Sequence, residues 1–193
     1  MVFSGCSSDQ NQIDYKSSYG FSTKLSKDWL ILTKDQIKSN PKIFDLENKA
    51  FKGVNKAMLT QVKKNILAGR TEIMYNTKGT GSGFGDNINV MVTMGNLVKK
   101  TQENQLCTQM PQAFKKMFGR SIKFYECGLK KVGNIKALHL NFDEVVKGTR
   151  SVQYQFQTGP RKLVIATLTC KNSNYEKLNK EFNDFIRNAK LDR

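Results

Sequence analysis

Phe21, Thr23 and Leu25 alternate with Ser22 and Lys24, and a side-chain period of two is that of a strand with one buried face. Ser26-Lys27-Asp28 is turn chemistry, and Trp29 to Leu32 resumes an extended run. A further strand pattern covers Thr71 to Thr77, with Ile73 and Tyr75 on one face. Ile88, Val90, Val92 and Met94 then alternate with Asn89, Met91 and Thr93. The last third holds four strand-like runs: Ile122 to Lys131, Ile135 to Val146, Thr149 to Gln157 and Lys162 to Cys170. Gly133-Asn134, Gly148 and Gly159-Pro160 separate them, and connections this short make an antiparallel meander.

Helical spacing occurs in three places. Asn40-Pro41 reads as an N-cap followed by Pro at the first helical position. Phe51, Val54, Met58, Val62 and Ile66 then mark one helix face, with Gly53 as a dividing point and Gly69 as a C-terminal cap. Thr101 to Phe118 predicts a helix interrupted near Pro111 and ended by Gly119. Ser173-Asn174-Tyr175-Glu176 reads as a capping box. It opens a final helix with Tyr175, Leu178, Phe182, Phe185, Ile186 and Ala189 on one face. No repeat or linker interrupts residues 19–190. The expectation is one α+β domain, a central antiparallel sheet flanked by helices, with a long meander before the C-terminal helix. Residues 7–18 are polar and read as a tether.

Composition narrows the class without naming a reaction. The 193 residues carry 32 Lys+Arg against 16 Asp+Glu, a net charge of +16. The excess is mostly lysine, dispersed singly or in pairs such as Lys63-Lys64 and Lys115-Lys116, with no run of five or six. Base and phosphate readout favours the arginine fork, so nucleic acid is disfavoured as a partner. A dispersed basic surface fits attraction to an anionic lipid surface or to an acidic partner.

The candidates for chemistry each have a plain reading. His139 is the single histidine, and any Ser-His or Cys-His catalysis needs it as base. It alternates with Leu138 and Leu140, which places it on the opposite face of a strand. One histidine also removes most transition-metal sites, so neither metal nor cofactor is expected. Asp143, Glu144 and Glu176 read as surface groups. Gly79, Gly81, Gly83 and Gly85, with Phe84, recur at a spacing that fits no phosphate loop. They read as a hairpin loop, a candidate binding loop and equally a plain connector. Cys107, Cys127 and Cys170 lack CxxC spacing. In an oxidising compartment they allow one disulfide and one thiol; Cys107–Cys127 is favoured, though spacing does not select among the three pairings. Cys170 is then a small buried hydrophobe.

Two resemblances set expectations of place and fold. Phe3-Ser4-Gly5-Cys6 resembles the lipobox of bacterial lipoproteins, with Phe3 where Leu is usual. That implies acylation of Cys6, a lipid anchor on the periplasmic side of a bacterial envelope, and weakly the outer membrane. Residues 1–18 are then lipobox remnant and tether, and 19–190 the domain. Tyr19-Gly20-Phe21-Ser22 followed by Leu25-Ser26-Lys27-Asp28-Trp29, and the ending Thr167 to Cys170 before the last helix, resemble the PsbP-like (PsbP/DcrB-type) family. Ser26 stands where that family has Pro, and Asp28 where it has Gly. The resemblance implies a binding or scaffolding fold and places no metal or partner residue on this chain. The expected function is a non-enzymatic, lipid-anchored envelope protein that binds or assembles a protein partner. The alternative is a basic secreted or intracellular protein that binds an acidic macromolecule, nucleic acid or an anionic surface.

Overall fold

Alternation sorts the apolar residues onto two faces of one large sheet. The structure is a computed structural model, and it describes residues 11–44, 56–78 and 85–192. In chain order the elements are β1 (Gln12–Ser17), β2 (Phe21–Ser26), β3 (Trp29–Leu32), α1 (Lys34–Ser39), α2 (Lys56–Leu67), β4 (Thr71–Asn76) and β5 (Asn87–Met94). Then come α3 (Lys100–Phe118), β6 (Phe124–Val132), β7 (Ile135–Asp143), β8 (Thr149–Gly159), β9 (Lys162–Lys171), α4 (Tyr175–Arg187) and β10 (Lys190–Leu191). Seven strands pair in the order β3-β4-β5-β9-β8-β7-β6, antiparallel throughout. β1, β2 and β10 form a second, three-stranded sheet.

Three layers result. On one face of the large sheet, Met74, Val90, Tyr154, Phe156, Ala166 and Leu168 pack against Leu178, Phe182, Phe185 and Ile186 of α4. Tyr15, Phe21 and Leu25 of the small sheet complete that core. The Phe21 ring lies 5.4 Å from Phe156 and 6.1 Å from Phe185, edge to face. The other face has two separate covers. Ile37, Leu59 and Ile66 of α1 and α2 pack on Leu32, Ile73 and Tyr75. Leu106, Met110 and Phe114 of α3 pack on Leu138, Leu140 and Phe142.

A buried carboxylate fastens the small sheet to the large one. Glu72 of β4 accepts from the Tyr15 hydroxyl, from Ser17 Oγ at 2.8 Å, and from Ser18 N and Oγ at 2.9 and 2.7 Å. Burial first, and then the Glu72 charge, push the Tyr15 hydroxyl well above its ordinary pKa. Tyr15 therefore stays protonated and stays a donor.

Four sequence readings are corrected. The tether expected over 7–18 is a strand from Gln12 to Ser17, because Tyr15 and Ser17 alternate inward and close on Glu72. Asn40-Pro41 does not open the long helix. Asn40 closes α1, which Thr33 begins with a capping box to Gln36, and Pro41–Phe44 is a 3-10 turn. Pro111 does not interrupt α3. The packed row Leu106, Met110 and Phe114 holds the helix through the missing bond. The capping box at Ser173 is absent, since residues Asn172–Asn174 form a 3-10 turn. Asp86 instead accepts from Lys171 N at 2.8 Å and Asn174 Nδ2 at 2.6 Å. Phe51, Gly53 and Val54 lie outside the described residues. The α2 face that is seen buries Leu59 and Ile66.

Candidate functional site

The polar side chains converge where β6, β7, β8 and the start of α4 meet. Leu138, Leu140 and Phe142 of β7 face α3, so His139, Asn141 and Asp143 face the α4 side. Register places Glu126 opposite Asn141, Tyr154 opposite His139, and Arg150 opposite Asp143. A bulge in β6 between Phe124 and Glu126 makes Tyr125 the extra residue. Bulges re-aim side chains, and this one lets Phe124 stack on Phe142 beneath α3 while Tyr125 reaches Arg150.

Arg150 is clamped on both faces. Its guanidinium carbon is 3.8 Å from the Tyr125 ring centre and 3.9 Å from that of Tyr175. Its Nε donates to Asn141 Oδ1 at 2.7 Å, and Asn141 Nδ2 donates to the Tyr175 hydroxyl at 2.8 Å. The Tyr125 hydroxyl donates to Asp143 Oδ1 at 2.9 Å, which raises its pKa. Among the described residues, none takes a hydrogen bond from the two terminal nitrogens of Arg150. A guanidinium fixed in plane in this way is preset to grip a carboxylate or a peptide carbonyl.

Apolar groups are exposed at the C-terminal end of α3, on Tyr125 and in the β7–β8 turn. Met117 is 70 % exposed, Phe118 41 %, Tyr125 40 % and Val146 52 %, with Val145 beside it. Arg120 Nη2 donates to the Glu144 carbonyl at 2.5 Å and ties the end of α3 to the β7–β8 turn that carries the valines. Tyrosine and arginine are residues enriched at binding hot spots.

His139 sits at the inner edge of this cluster and is 4 % exposed. Burial first, then Lys130, lowers its pKa to about 4, against an opposing pull from Glu126. The unfolded chain therefore takes up this proton first as pH falls, and stability declines from about pH 6.5 to about 4. At about pH 5 the loss is about 2 kcal/mol relative to neutrality. His139→Phe is expected to remove that decline, read by urea titration at the two pH values. An undiminished acid sensitivity in the variant rejects the assignment to His139.

The remaining sequence-predicted residues fall as follows. Cys107 and Cys127 are bridged, with Cα atoms 5.6 Å apart, joining α3 to β6 as expected. Cys170 is buried, and burial pushes its thiol up to about 12, so it behaves as a small apolar residue. Gly85 lies against Tyr75, where a Cβ would come within 3.1 Å of the ring. Gly79, Gly81, Gly83, Phe84 and Cys6 lie outside the described residues. Among the described residues no group of three or more His, Cys, Asp or Glu is placed to hold a metal ion. No helix among them is long and apolar enough to cross a membrane. The sequence reading missed Tyr125, Arg150 and Tyr175. The available signal was the polar row His139, Asn141, Asp143 alternating with buried apolar residues, which marks a face that is polar for a reason.

No protein-family model matches the chain, and no curated protein matches it by sequence. Structure gives a match where sequence does not. The solution structure of cyanobacterial PsbP (CyanoP) from Synechocystis sp. PCC 6803 superposes with a TM-score of 0.57, covering 98 % of each chain at 8 % identity. The fold is PsbP-like. A structure from Bacteroides thetaiotaomicron gives a TM-score of 0.48 at 12 % identity, over 95 % of this chain and 49 % of that one. At these identities the PsbP-like match carries the fold alone.

Proposed function

We propose that the protein is a non-enzymatic, lipid-anchored envelope protein that binds or assembles a protein partner. The observation that carries this is Arg150 clamped between Tyr125 and Tyr175, just after the β7–β8 turn that exposes Val145 and Val146. A prealigned fork and a two-ring platform lose little side-chain entropy on binding. The side chains that catalysis would need argue the same way. His139 is held neutral and out of solvent, and the Cys170 thiol is raised far from thiolate chemistry. The anchor reading rests on Phe3-Ser4-Gly5-Cys6.

A photo-crosslinking residue at Val146 or Tyr125 is expected to give one discrete adduct in native cells, and none at exposed Lys56. The same adducts from all three positions reject the site. Cys6→Ala is expected to move the protein from the membrane to the soluble fraction. Unchanged fractionation rejects the anchor.

A further inference from the structure

The end of the molecule remote from the stacked arginine has a different chemistry. α4 runs from Tyr175, in the clamp, to Arg187, and its 13 residues span about 20 Å. Beyond Arg187 lies a concave depression of 830 Å³ between the small sheet and the end of α4. Lys16 of β1, Lys24 of β2, Arg187 and Lys190 line it, against Asp14. All four cationic residues are exposed. Among the described residues that line it, four are cationic and Asp14 alone is acidic; Arg187 Nη1 is also 2.6 Å from Asp184, outside the lining.

The backbone brings these groups together. Inward Tyr15 and Ser17 on β1 force Asp14 and Lys16 outward, and β2 does the same to Ser22 and Lys24. β10 pairs with Ser22 and Phe21 and adds Lys190 to the same rim. The β6–β7 turn supplies Asn134. It fits against α4 because residue 133 is glycine. At φ +59°, a Cβ there would lie 2.5 Å from the Arg187 carbonyl oxygen.

We propose that this basic depression is the membrane-docking face, taking the phosphates of anionic phospholipid headgroups. The placement rests on the lipid-anchor reading. Gln12, the first residue of β1, follows Cys6 by six positions, which span at most about 20 Å. An acylated Cys6 therefore holds the small sheet near the headgroups, and the basic depression is the part of the fold adjoining that tether. Cations in a concavity raise the local concentration of phosphate, and each adds to binding at an anionic surface. The clamp of Arg150 then points away from the bilayer, toward a partner.

The test uses the full chain carrying Cys6→Ala, so that charge acts without acylation. Its co-sedimentation is measured with vesicles of phosphatidylcholine, with and without phosphatidylglycerol. Binding is expected only to the anionic vesicles. Adding Lys16→Glu and Lys190→Glu is expected to weaken it at least about tenfold. Lys115→Glu with Lys116→Glu, an equal charge change on α3, is expected to weaken it less than about twofold. Equal losses in both pairs overturn the proposal in favour of net charge, as does an absence of anionic binding by the parent chain. Matching thermal unfolding of the two charge variants confirms that each is folded. Failure of the anchor reading shows separately, as unchanged fractionation of Cys6→Ala in cells.

Discussion

Replacing Glu72 by alanine is expected to destabilise the protein by about 4 kcal/mol, the largest effect of any single substitution considered. The carboxylate accepts from Tyr15, Ser17 and Ser18, and no water-facing alternative exists for the first two, which are 2 % and 3 % exposed. Hydrogen bonds to a charged group contribute about 1.5–3 kcal/mol each, and buried donors left without partners add their desolvation cost. The Ser18 donors are nearer solvent and recover water, which is why the sum stays near two full bonds. For a chain of this size the melting temperature falls by roughly 8–16 °C. Glu72→Gln keeps one acceptor and lets the hydroxyls rotate, so about half the loss is expected. Amide exchange distinguishes the mechanism: protection should collapse first over β1 and β2, which Glu72 ties to β4. A loss below about 1 kcal/mol, or exchange that rises evenly over the fold, contradicts this role.

Breaking the Cys107–Cys127 bridge is expected to cost about 3 kcal/mol, or roughly 6–12 °C in melting temperature. The sequence separation of 20 residues sets the loop whose closure the bridge removes from the unfolded chain. The loop includes Pro111 and most of α3, so the bridge also fixes this helix to β6 where its own hydrogen bonding is weakest. Cys107→Ser with Cys127→Ser should melt together with the reduced parent protein and below the oxidised one. Coincidence of all three curves rejects a stabilising bridge. Cys170 should contribute nothing to this difference, because it is buried and unbridged.

Much of the fold was legible because alternation and helical spacing report burial directly. The four meander strands fall within a few residues of their expected runs, and every apolar position assigned to the final helix is buried. Of the three pairings that spacing left open, the favoured one, Cys107 with Cys127, is the one formed. Local signals misled where a distant group competes. Asp86 holds Lys171 N and Asn174 Nδ2 ahead of α4 where a Ser173 capping box was expected, and Glu72 turns a polar leader into a strand. Neither partner is visible in a local window, since Glu72 lies 57 residues from Tyr15.

The candidate site was the least legible part. Arg150, Tyr125 and Tyr175 come from two strands and a helix, and a bulge at Tyr125 sets the contact. Period two would have sent Tyr125 to the wrong face for its neighbours.

By itself the sequence determined the layers: which residues are apolar, at what period, and hence one α+β unit with a meander and a closing helix. It also held the lipobox-like Cys6 and the dispersed lysine charge. Only the tertiary structure decided which polar groups meet. It gathers Arg150 and its tyrosines at one end of α4, and Lys16, Lys24, Arg187 and Lys190 at the other. The reason is physical. Burial is a property of each residue and its near neighbours, whereas a site is a coincidence of side chains whose register is fixed only once the strands pair.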